Sequence, residues 1–272
     1  MEIKKLLAEY NIAPDPLKDQ FFLDETKIAK RIADLANIKR NDVVLEVGAG
    51  TGVLTAELAK TARRVIAFEI DPRFRPILST LPSNVEVRYE NAWEYIQLHG
   101  KSWKKKDYNK IVSNLPYSFV EQFLHNLTFL KFDKVILLVP LRFVRKVEDN
   151  PVFGSFFNCK LRFEVGKESF FPVPRTNSAV VELIHLPDAI ENKNLGLFLR
   201  QYMYQHEDQL VKNSLMEGII RFAKDAHGKK MTKNEARKIV AEAGISEEGL
   251  NTTPGTKELY NEVGKKFRDV KN

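Results

Sequence analysis

The 272-residue sequence predicts an α/β fold followed by a small C-terminal helical domain, and three observations support this prediction. Apolar runs of strand length alternate with helical segments over residues 19–188, beginning with VVLEV at 43–47. Gly48, Gly50 and Gly52 directly follow VVLEV and precede the helical segment VLTAELAK, as in a strand–turn–helix unit. Apolar positions then recur at helical spacing over residues 189–272, with breakers between them. Residues 1–18 form an N-terminal arm with a short amphipathic helix.

The composition limits the classes of protein to which the chain can belong. Cys159 is the single cysteine, which excludes a disulfide framework and a cysteine-based zinc cluster. The five histidines are scattered without metal-ligand spacing, so we expect no metal site. No apolar run approaches the length of a membrane span, and the N-terminus lacks the apolar stretch of a signal peptide. We therefore expect a soluble, monomeric, cytoplasmic protein, whose net charge of +7 favours an anionic partner without identifying it.

The spacing of the three glycines indicates which ligand the turn binds. Glycine lets the backbone adopt unusual dihedral angles and approach a ligand closely. Dinucleotide-binding folds carry G-x-G-x-x-G, whereas this turn has G-x-G-x-G, with Val53 at the position of the last dinucleotide glycine. With Glu46 two residues ahead of Gly48, the pattern is typical of the loop that holds the amino-acid part of S-adenosylmethionine in Rossmann-like methyltransferases. The alternative is a tight turn without a ligand, and a nicotinamide dehydrogenase is disfavoured.

Two further strand ends complete the predicted cofactor pocket. Glu69 ends the second strand, about 20 residues after the glycine turn, where a carboxylate can accept hydrogen bonds from both ribose hydroxyls. Its alternative role is that of a surface acid at a strand end. The third strand, NVEVRY, is followed by Asn91, whose amide can bond to the edge of adenine. Ile70 and Ala92, the neighbours of these two residues, are assigned to the same pocket.

The fourth strand runs into Asn114, Leu115, Pro116 and Tyr117, a motif typical of methyltransferases that modify an exocyclic amine on a planar base. The amino lone pair of adenine is delocalised into the ring, so the amine is a poor nucleophile until acceptors bind its hydrogens. The side-chain oxygen of Asn114 and the carbonyl of Leu115 can be these acceptors, because Pro116 holds the chain in an extended turn. Tyr117 supplies a face on which an extruded base can stack. No metal is required, and the alternative is a proline turn with a buried tyrosine.

Taken in order, these motifs resemble the KsgA-type ribosomal RNA adenine dimethyltransferases over residues 19–186. DQFFLD at 19–24 is similar to that family's leading motif, and FFPVPRTNSAVVEL at 170–183 is similar to a segment that general methyltransferases lack. The resemblance implies a Rossmann-like, seven-stranded methyltransferase domain with a small helical domain, and S-adenosylmethionine as cofactor. It implies ribosomal RNA or a ribosomal subunit precursor as partner. It adds Gln20, Phe21, Leu23 and Asn114 to the cofactor-binding positions and Phe170, across the pocket from Tyr117, to the target positions.

Departures from the family pattern lie mainly in segments that would meet RNA. Phe21 and Asn91 replace a frequent polar residue and the usual aspartate, and segments 118–121, 139–142, 153–157 and 205–208 differ from the family's motifs. The basic segment KSWKKKDY at 101–108 is interpreted as a solvated loop. We favour an adenine-N6 methyltransferase acting on small-subunit ribosomal RNA. The alternatives are a paralogue acting on large-subunit ribosomal RNA, a ribosome-assembly or RNA-binding factor that keeps the fold, and a methyltransferase acting on DNA or a protein side-chain amide.

Overall fold

The computed structural model describes residues 3–99, 107–128, 132–148, 153–186 and 188–268. Most of the basic segment at 101–108 therefore lies outside the described residues, which include only Asp107 and Tyr108 of it. The chain divides into two compact units, Met1–Val147 with Cys159–Ile184, and Glu148–Asn158 with His185–Asn272. The division of the sequence at residues 18 and 188 stays a prediction.

Strands and helices alternate through the first part of the chain, and helices alone follow the last strand. The strands are β1 Phe22–Leu23, β2 Val43–Val47, β3 Arg64–Phe68, β4 Val85–Arg88, β5 Lys110–Asn114, β6 Lys134–Pro140, β7 Phe157–Val165, β8 Phe170–Phe171 and β9 Ser178–His185. The helices are α1 Ile3–Glu9, α2 Thr26–Leu35, α3 Val53–Ala59, α4 Arg75–Leu78, α5 Ala92–His99, α6 Val120–Leu127, α7 Leu141–Glu148, α8 Leu195–Gln205, α9 Val211–His227, α10 Lys233–Glu242, α11 Glu247–Leu250 and α12 Lys257–Lys266.

The main sheet has the topology that brings the predicted site residues to one edge. Among the residues that the structure describes, seven strands pair in the order β4-β3-β2-β5-β6-β9-β7, which confirms the predicted α/β fold and its seven-stranded sheet. Neighbouring strands from β4 to β6 are parallel, and β9 runs antiparallel to β6. The direction in which the chain adds strands reverses between β2 and β5. In open α/β sheets, ligands bind beyond the carboxyl ends of the strands at such a reversal.

Strand β6 is apolar over most of its length because both faces of the sheet are covered there. In β6, the run from Val135 to Val139 is at most 3% exposed. A strand buried on both sides has no solvent-facing positions, so its sequence lacks the alternation of a half-exposed strand. The uninterrupted apolar run of β6 therefore matches its place between β5 and β9 in the sheet.

A small second sheet joins the N-terminal segment to the loop before β9. β1 pairs antiparallel with β8, with Phe22 opposite Phe171 and Leu23 opposite Phe170. The ring of Phe22 also packs against Phe74, with 5.2 Å between ring centroids. Two-residue strands are too short for a recognisable sequence period, so sequence analysis did not predict this pairing. The pairing holds Phe22 against the glycine turn, where a β-carbon at Gly50 would lie 3.0 Å from the ring.

In the second unit, capping residues set the boundaries of the helices that the sequence predicted. The Asn194 side chain accepts a hydrogen bond from the Leu197 N–H at the start of α8. Thr232 and Glu235 form a reciprocal capping box at the start of α10, and Gly228, with φ of 66°, ends α9. Within the described residues, every helix is too short or too polar to cross a membrane.

Asp42 and Lys110 form a buried ion pair at the amino-terminal edge of the sheet, with 2.8 Å between nitrogen and oxygen and both side chains 9% exposed. Asp42→Asn leaves the buried ammonium without a compensating charge, so we expect the free energy of unfolding to fall by about 3 kcal/mol. Denaturant unfolding measures this change. The control is Asp34→Asn, which removes a solvent-exposed ion pair with Lys30 and should change stability much less. Equal losses in the two variants would contradict the prediction.

Candidate active site

A cavity of about 560 Å³ opens at the carboxyl ends of β2, β3, β4 and β5. This volume lies within the range of about 300–1,000 Å³ that is typical of small-molecule sites. All but one of the residues that the sequence assigned to the site line this cavity. They are Gln20, Phe21, Leu23, Glu46, Gly48, Gly50, Glu69, Ile70, Asn91, Ala92, Asn114, Leu115, Pro116 and Tyr117.

Phe170 is the exception, because it does not line the cavity. Its side chain is 2% exposed and packs in the main hydrophobic cluster of the first unit. The pairing of β8 with β1 sets this direction, since it aligns Phe170 with the buried Leu23. The predicted role of Phe170 as the second wall of a base pocket therefore has no support in this structure.

The glycine turn between β2 and α3 needs glycine for conformation as well as for space. Gly48, Gly50 and Gly52 have φ of 79°, 54° and 78°, in the left-handed region that side chains disfavour. The N–H groups of Gly48 and Ala49 both donate to the Phe68 carbonyl at 2.9 Å, which fixes the turn to the end of β3. The cavity wall here is therefore backbone.

The glycine turn and the segment 114–117 lie side by side. A β-carbon at Gly48 would lie 3.4 Å from Cδ of Pro116 and 3.7 Å from the Asn114 carbonyl oxygen. Below them, the Ser113 hydroxyl accepts from the Val47 N–H at 3.0 Å and donates to the Val47 carbonyl at 2.6 Å. The two loops that the sequence assigned to cofactor and target thus border one cavity.

Glu69 joins the end of β3 to the glycine turn. Its Oε2 accepts from the Gly50 N–H at 2.7 Å, and its Oε1 accepts from the Asp71 N–H at 2.8 Å. Burial raises the pKa of this carboxyl. Each carboxylate oxygen can accept more than one hydrogen bond, so both retain capacity for hydroxyl donors from a ligand in the cavity.

Glu46 is buried in the cavity wall without a compensating charge. It is 1% exposed, and its Oε2 has no hydrogen-bond partner within the described residues. Burial raises the pKa of this carboxyl to about 8, and the nearby charge of Glu69 also raises it. A cationic ligand group beside Glu46 would supply the missing partner.

Two further hydrogen-bond acceptors in the segment 114–117 are also without partners. Within the described residues, neither the Asn114 amide oxygen nor the Leu115 carbonyl oxygen accepts a hydrogen bond. The Leu115 N–H donates to the Leu138 carbonyl at 3.2 Å, and the side-chain amide nitrogen of Asn114 lies 3.5 Å from the Phe21 carbonyl oxygen. These contacts orient the segment and leave both acceptors available to N–H donors.

Tyr117 is held by contacts that the sequence did not predict. Its hydroxyl lies 2.8 Å from the hydroxyl of the fully buried Ser178, at the start of β9. Its ring stacks on Phe21, with ring centroids 5.6 Å apart and planes 26° apart. Burial raises the pKa of the Tyr117 hydroxyl, so the ring stays neutral at physiological pH. Because Ser178 is distant in sequence, only its place in the SAVV segment could have indicated a role.

Gln20 lines the cavity, but its side-chain amide forms hydrogen bonds with other residues of the protein. The amide nitrogen donates to Asp71 at 2.8 Å, and the amide oxygen accepts from the Asp15 N–H at 2.8 Å and from Arg73 at 3.3 Å. The hydrogen bond from Arg73 lowers the pKa of Asp71. Gln20 therefore ties the N-terminal segment to the turn after β3. Sequence analysis did not detect the part of Arg73 in this network.

Asn91 and Ile70 lie on the part of the wall formed by the ends of β3 and β4. The Asn91 side-chain oxygen accepts from the Trp93 N–H at 3.0 Å and so caps α5. Ile70 is 71% exposed, which is unusual for a large apolar side chain beside a cavity. A planar ligand group bound here would cover it. Within the described residues, no three His, Cys, Asp or Glu side chains are grouped to hold a metal.

The raised pKa of Glu46 makes stability depend on pH in a defined direction. Between the ordinary value of 4.5 and about 8, the folded protein keeps a proton that the unfolded chain releases. This contribution to stability is therefore lost as pH rises through that window. In the cofactor-free protein, we expect Glu46→Gln to lessen the fall in unfolding temperature between about pH 5 and about pH 8.5, because glutamine cannot ionise.

Thermal unfolding in matched buffers measures this difference. The control is Glu9→Gln, at an exposed position at the end of α1, which should keep the wild-type pH dependence. If Glu46→Gln also keeps the wild-type pH dependence, Glu46 is already ionised at neutral pH and its assigned environment is wrong.

Comparisons with known proteins agree with this geometry. The profile of the ribosomal RNA adenine dimethylase family matches residues 18–243. A probable ribosomal RNA small subunit methyltransferase A of Pyrococcus furiosus is 32% identical over 221 residues, which cover 78% of each chain. The ribosomal RNA small subunit methyltransferase A of Thermotoga neapolitana is 32% identical over 228 residues, which cover 79% of this chain and 85% of the relative.

Solved structures share the fold at lower identity. The 23S rRNA methyltransferase ErmE has a TM-score of 0.55 and 21% identity, over 90% of this chain and 99% of that protein. A dimethyladenosine transferase from Plasmodium falciparum has a TM-score of 0.56 and 19% identity, over 90% of this chain and 98% of that protein. The predicted Rossmann-like methyltransferase fold is confirmed. The extent of the profile match and the identity to the relatives together show that the chain belongs to the ribosomal RNA adenine dimethylase family.

Proposed function

We propose that this chain transfers methyl groups from S-adenosylmethionine to the exocyclic amine of an extruded adenine in ribosomal RNA. The observation that carries the proposal is that two unengaged acceptors, on Asn114 and Leu115, line the same cavity as the glycine turn and the buried Glu46. Family membership supports adenine in ribosomal RNA as the target class. Relatives named as small-subunit methyltransferases favour small-subunit ribosomal RNA.

The two buried acids of the cavity lining, Glu46 and Glu69, fit the cofactor. When bound, S-adenosylmethionine supplies a methyl group on a sulfonium, which is an electrophile strong enough to react without a metal. Glu69 would accept hydrogen bonds from the ribose hydroxyls while it keeps its bonds to the Gly50 and Asp71 N–H groups. The unpartnered Oε2 of Glu46 would compensate the ammonium of the amino-acid part. The exposed side chain of Ile70 would offer an apolar contact to the adenine ring.

The segment 114–117 activates the target amine. The Asn114 amide oxygen and the Leu115 carbonyl accept its two hydrogens, which returns the nitrogen lone pair from the ring to the nitrogen. Tyr117 holds the base by stacking, and Ser178 fixes the tilt of the Tyr117 ring through its hydroxyl. The residues act by orientation and hydrogen bonding, and the amine releases its proton to water after transfer. A cytoplasmic location and a monomeric state stay predictions of the sequence.

The proposal is tested with purified protein, radiolabelled cofactor, and separate small subunits, large subunits and deproteinised ribosomal RNAs, followed by nucleoside analysis. Label in N6-methylated adenosine of small-subunit RNA supports the proposal. Label only in large-subunit RNA identifies the paralogue with another target. Cofactor binding without transfer to any of these RNAs contradicts the proposal and favours an assembly or RNA-binding factor.

Asn114→Ala should reduce kcat by about 100-fold or more, because one of the two acceptors for the amine hydrogens is lost. The affinity for S-adenosylmethionine, measured by calorimetry, should change much less. Asn126→Ala on α6 is the control, since this asparagine bonds only within its own helix, to the Gln122 carbonyl. Unchanged kcat in Asn114→Ala would rule out the assigned role.

Substitutions of Tyr117 separate ring stacking from hydrogen bonding. Tyr117→Ala removes the stacking face and should lower kcat/KM for RNA by about 10-fold or more. Tyr117→Phe keeps the ring and loses only the contact with Ser178, so most of the activity should remain. Steady-state kinetics at saturating cofactor distinguishes the two variants. Equal losses in both would show that the hydroxyl, rather than the ring face, is what the reaction requires.

A further inference from the structure

The second unit contains its own cavity, of about 520 Å³, between α8 and α12. Its polar lining consists of three basic side chains and three asparagines: Arg200, Lys265, Arg268, Asn192, Asn194 and Asn261. Among the residues that the structure describes, no acidic side chain and no aromatic ring lines it. The cavity thus concentrates positive charge on a unit in which basic and acidic residues are otherwise mixed.

The positive charges in this cavity are not compensated by the protein. Within the described residues, none of the three basic side chains forms an ion pair. The Nε of Arg200 is buried without a hydrogen-bond partner. Burial and the charge of Arg268 lower the pKa of Arg200. Basic side chains at the end of α12 also offset its helix dipole, but Arg200 lies within α8, where that explanation does not apply.

Close packing of the two helices fixes Arg200 in place. A β-carbon at Gly264 on α12 would lie 2.8 Å from Cδ and 2.9 Å from Nε of Arg200. A β-carbon at Gly196 on α8 would lie 2.6 Å from the Gly264 carbonyl. Glycine at both positions therefore lets α8 and α12 approach closely and lets the Arg200 side chain pack against α12. The charge is oriented before any ligand arrives, which lowers the entropy lost on binding.

The amino-terminal end of α8 also borders the cavity. Asn194, which caps this helix, and Leu197 in its first turn both belong to the lining. The partial positive charge at a helix N-terminus favours an anion there, in addition to the three basic side chains. Guanidinium groups match the geometry of phosphate oxygens, and asparagine amides can bond to sugar hydroxyls. The absence of an aromatic ring from the lining disfavours a stacked base.

We propose that this cavity binds a phosphate group of the RNA backbone, together with its sugar, and so anchors the substrate by a contact that is independent of sequence. The inference rests on the proposed function for the presence of RNA, and goes beyond it by assigning a second binding site outside the methyl-transfer cavity. A free phosphate compound has the same chemistry, so the experiment has one arm for each source.

The test variant is Lys265→Gln with Arg268→Gln, which leaves the half-buried Arg200 in place. The matched control is Lys266→Gln with Arg237→Gln, because it removes the same two charge types from exposed positions of the same unit that do not line the cavity. Binding of deproteinised small- and large-subunit ribosomal RNA is measured by fluorescence over a range of salt concentrations. Thermal shifts with inorganic phosphate and with AMP are measured at constant ionic strength.

We expect the test variant to weaken the binding of both RNAs to a similar degree, and to reduce the slope of log affinity against log salt by about 1. The control should keep the wild-type slope. Equal slopes in the two variants would overturn the proposal. A second outcome would also overturn the proposal. If the test variant loses the thermal shift with phosphate or AMP, but keeps the wild-type slope of log RNA affinity against log salt, the site binds a free phosphate compound.

The failure of the proposed function is separable from the failure of this inference. Methyl transfer to RNA by the wild type, with the salt slope unchanged in the test variant, contradicts only the phosphate site. RNA binding with the expected loss of slope, but without methyl transfer by the wild type, contradicts only the proposed function.

Discussion

The divergence of β2 and β5 at their carboxyl ends is the constraint on which the candidate site depends. Backbone pairing joins Val44 with Lys110 and Leu45 with Ile111, but further along the Ser113 hydroxyl bonds both the N–H and the carbonyl of Val47. Buried backbone groups require partners, and one hydroxyl can both donate and accept. Ser113 therefore provides partners for the backbone N–H and carbonyl of Val47, at the point where strands β2 and β5 separate. The glycine turn and the segment 114–117 border the gap that results.

The lining of the candidate active site combines carboxyls with neutral hydrogen-bond acceptors, and burial explains the state of the carboxyls. Glu46 and Glu69 have raised pKa values because their carboxyls are taken from water without a basic partner. Asp71, two residues from Glu69, has a lowered pKa because Arg73 bonds to it. Glu46 and Glu69 thus lack a basic partner, which a cationic ligand could supply, whereas Asp71, which also lines the cavity, is already paired with Arg73. The Asn114 amide oxygen and the Leu115 carbonyl are instead neutral acceptors, which can bind an amine without protonating it.

The N-terminal segment contributes more to the site than its motif suggests. Gln20 ties it to Asp71, the Asp19 carboxylate accepts from the Ser118 N–H at 2.7 Å, and the Phe21 ring stacks on Tyr117. Phe21 stands where the family pattern frequently has a polar residue, and its ring has an apolar partner in this chain. The departure therefore has a packing explanation. Phe21 lies in the part of the cavity beside Tyr117, the residue that is proposed to hold the base.

The sequence by itself determined the sheet, the strand-end motifs and the cavity that they share. This was possible because the carboxyl ends of neighbouring parallel strands meet at one edge, so Gly48, Glu69 and Asn114 could be assigned together from local patterns. Only the tertiary structure decided which way side chains point when their partners are far away in sequence. Ser178 meets Tyr117 across 61 residues, and Phe170 turns into the core because β8 pairs with β1. The basic cavity between α8 and α12 likewise arises from packing, because Arg200 comes from α8, whereas Lys265 and Arg268 come from the end of α12 and the residues after it. Periodicity within one helix carries no information about the helix that packs against it.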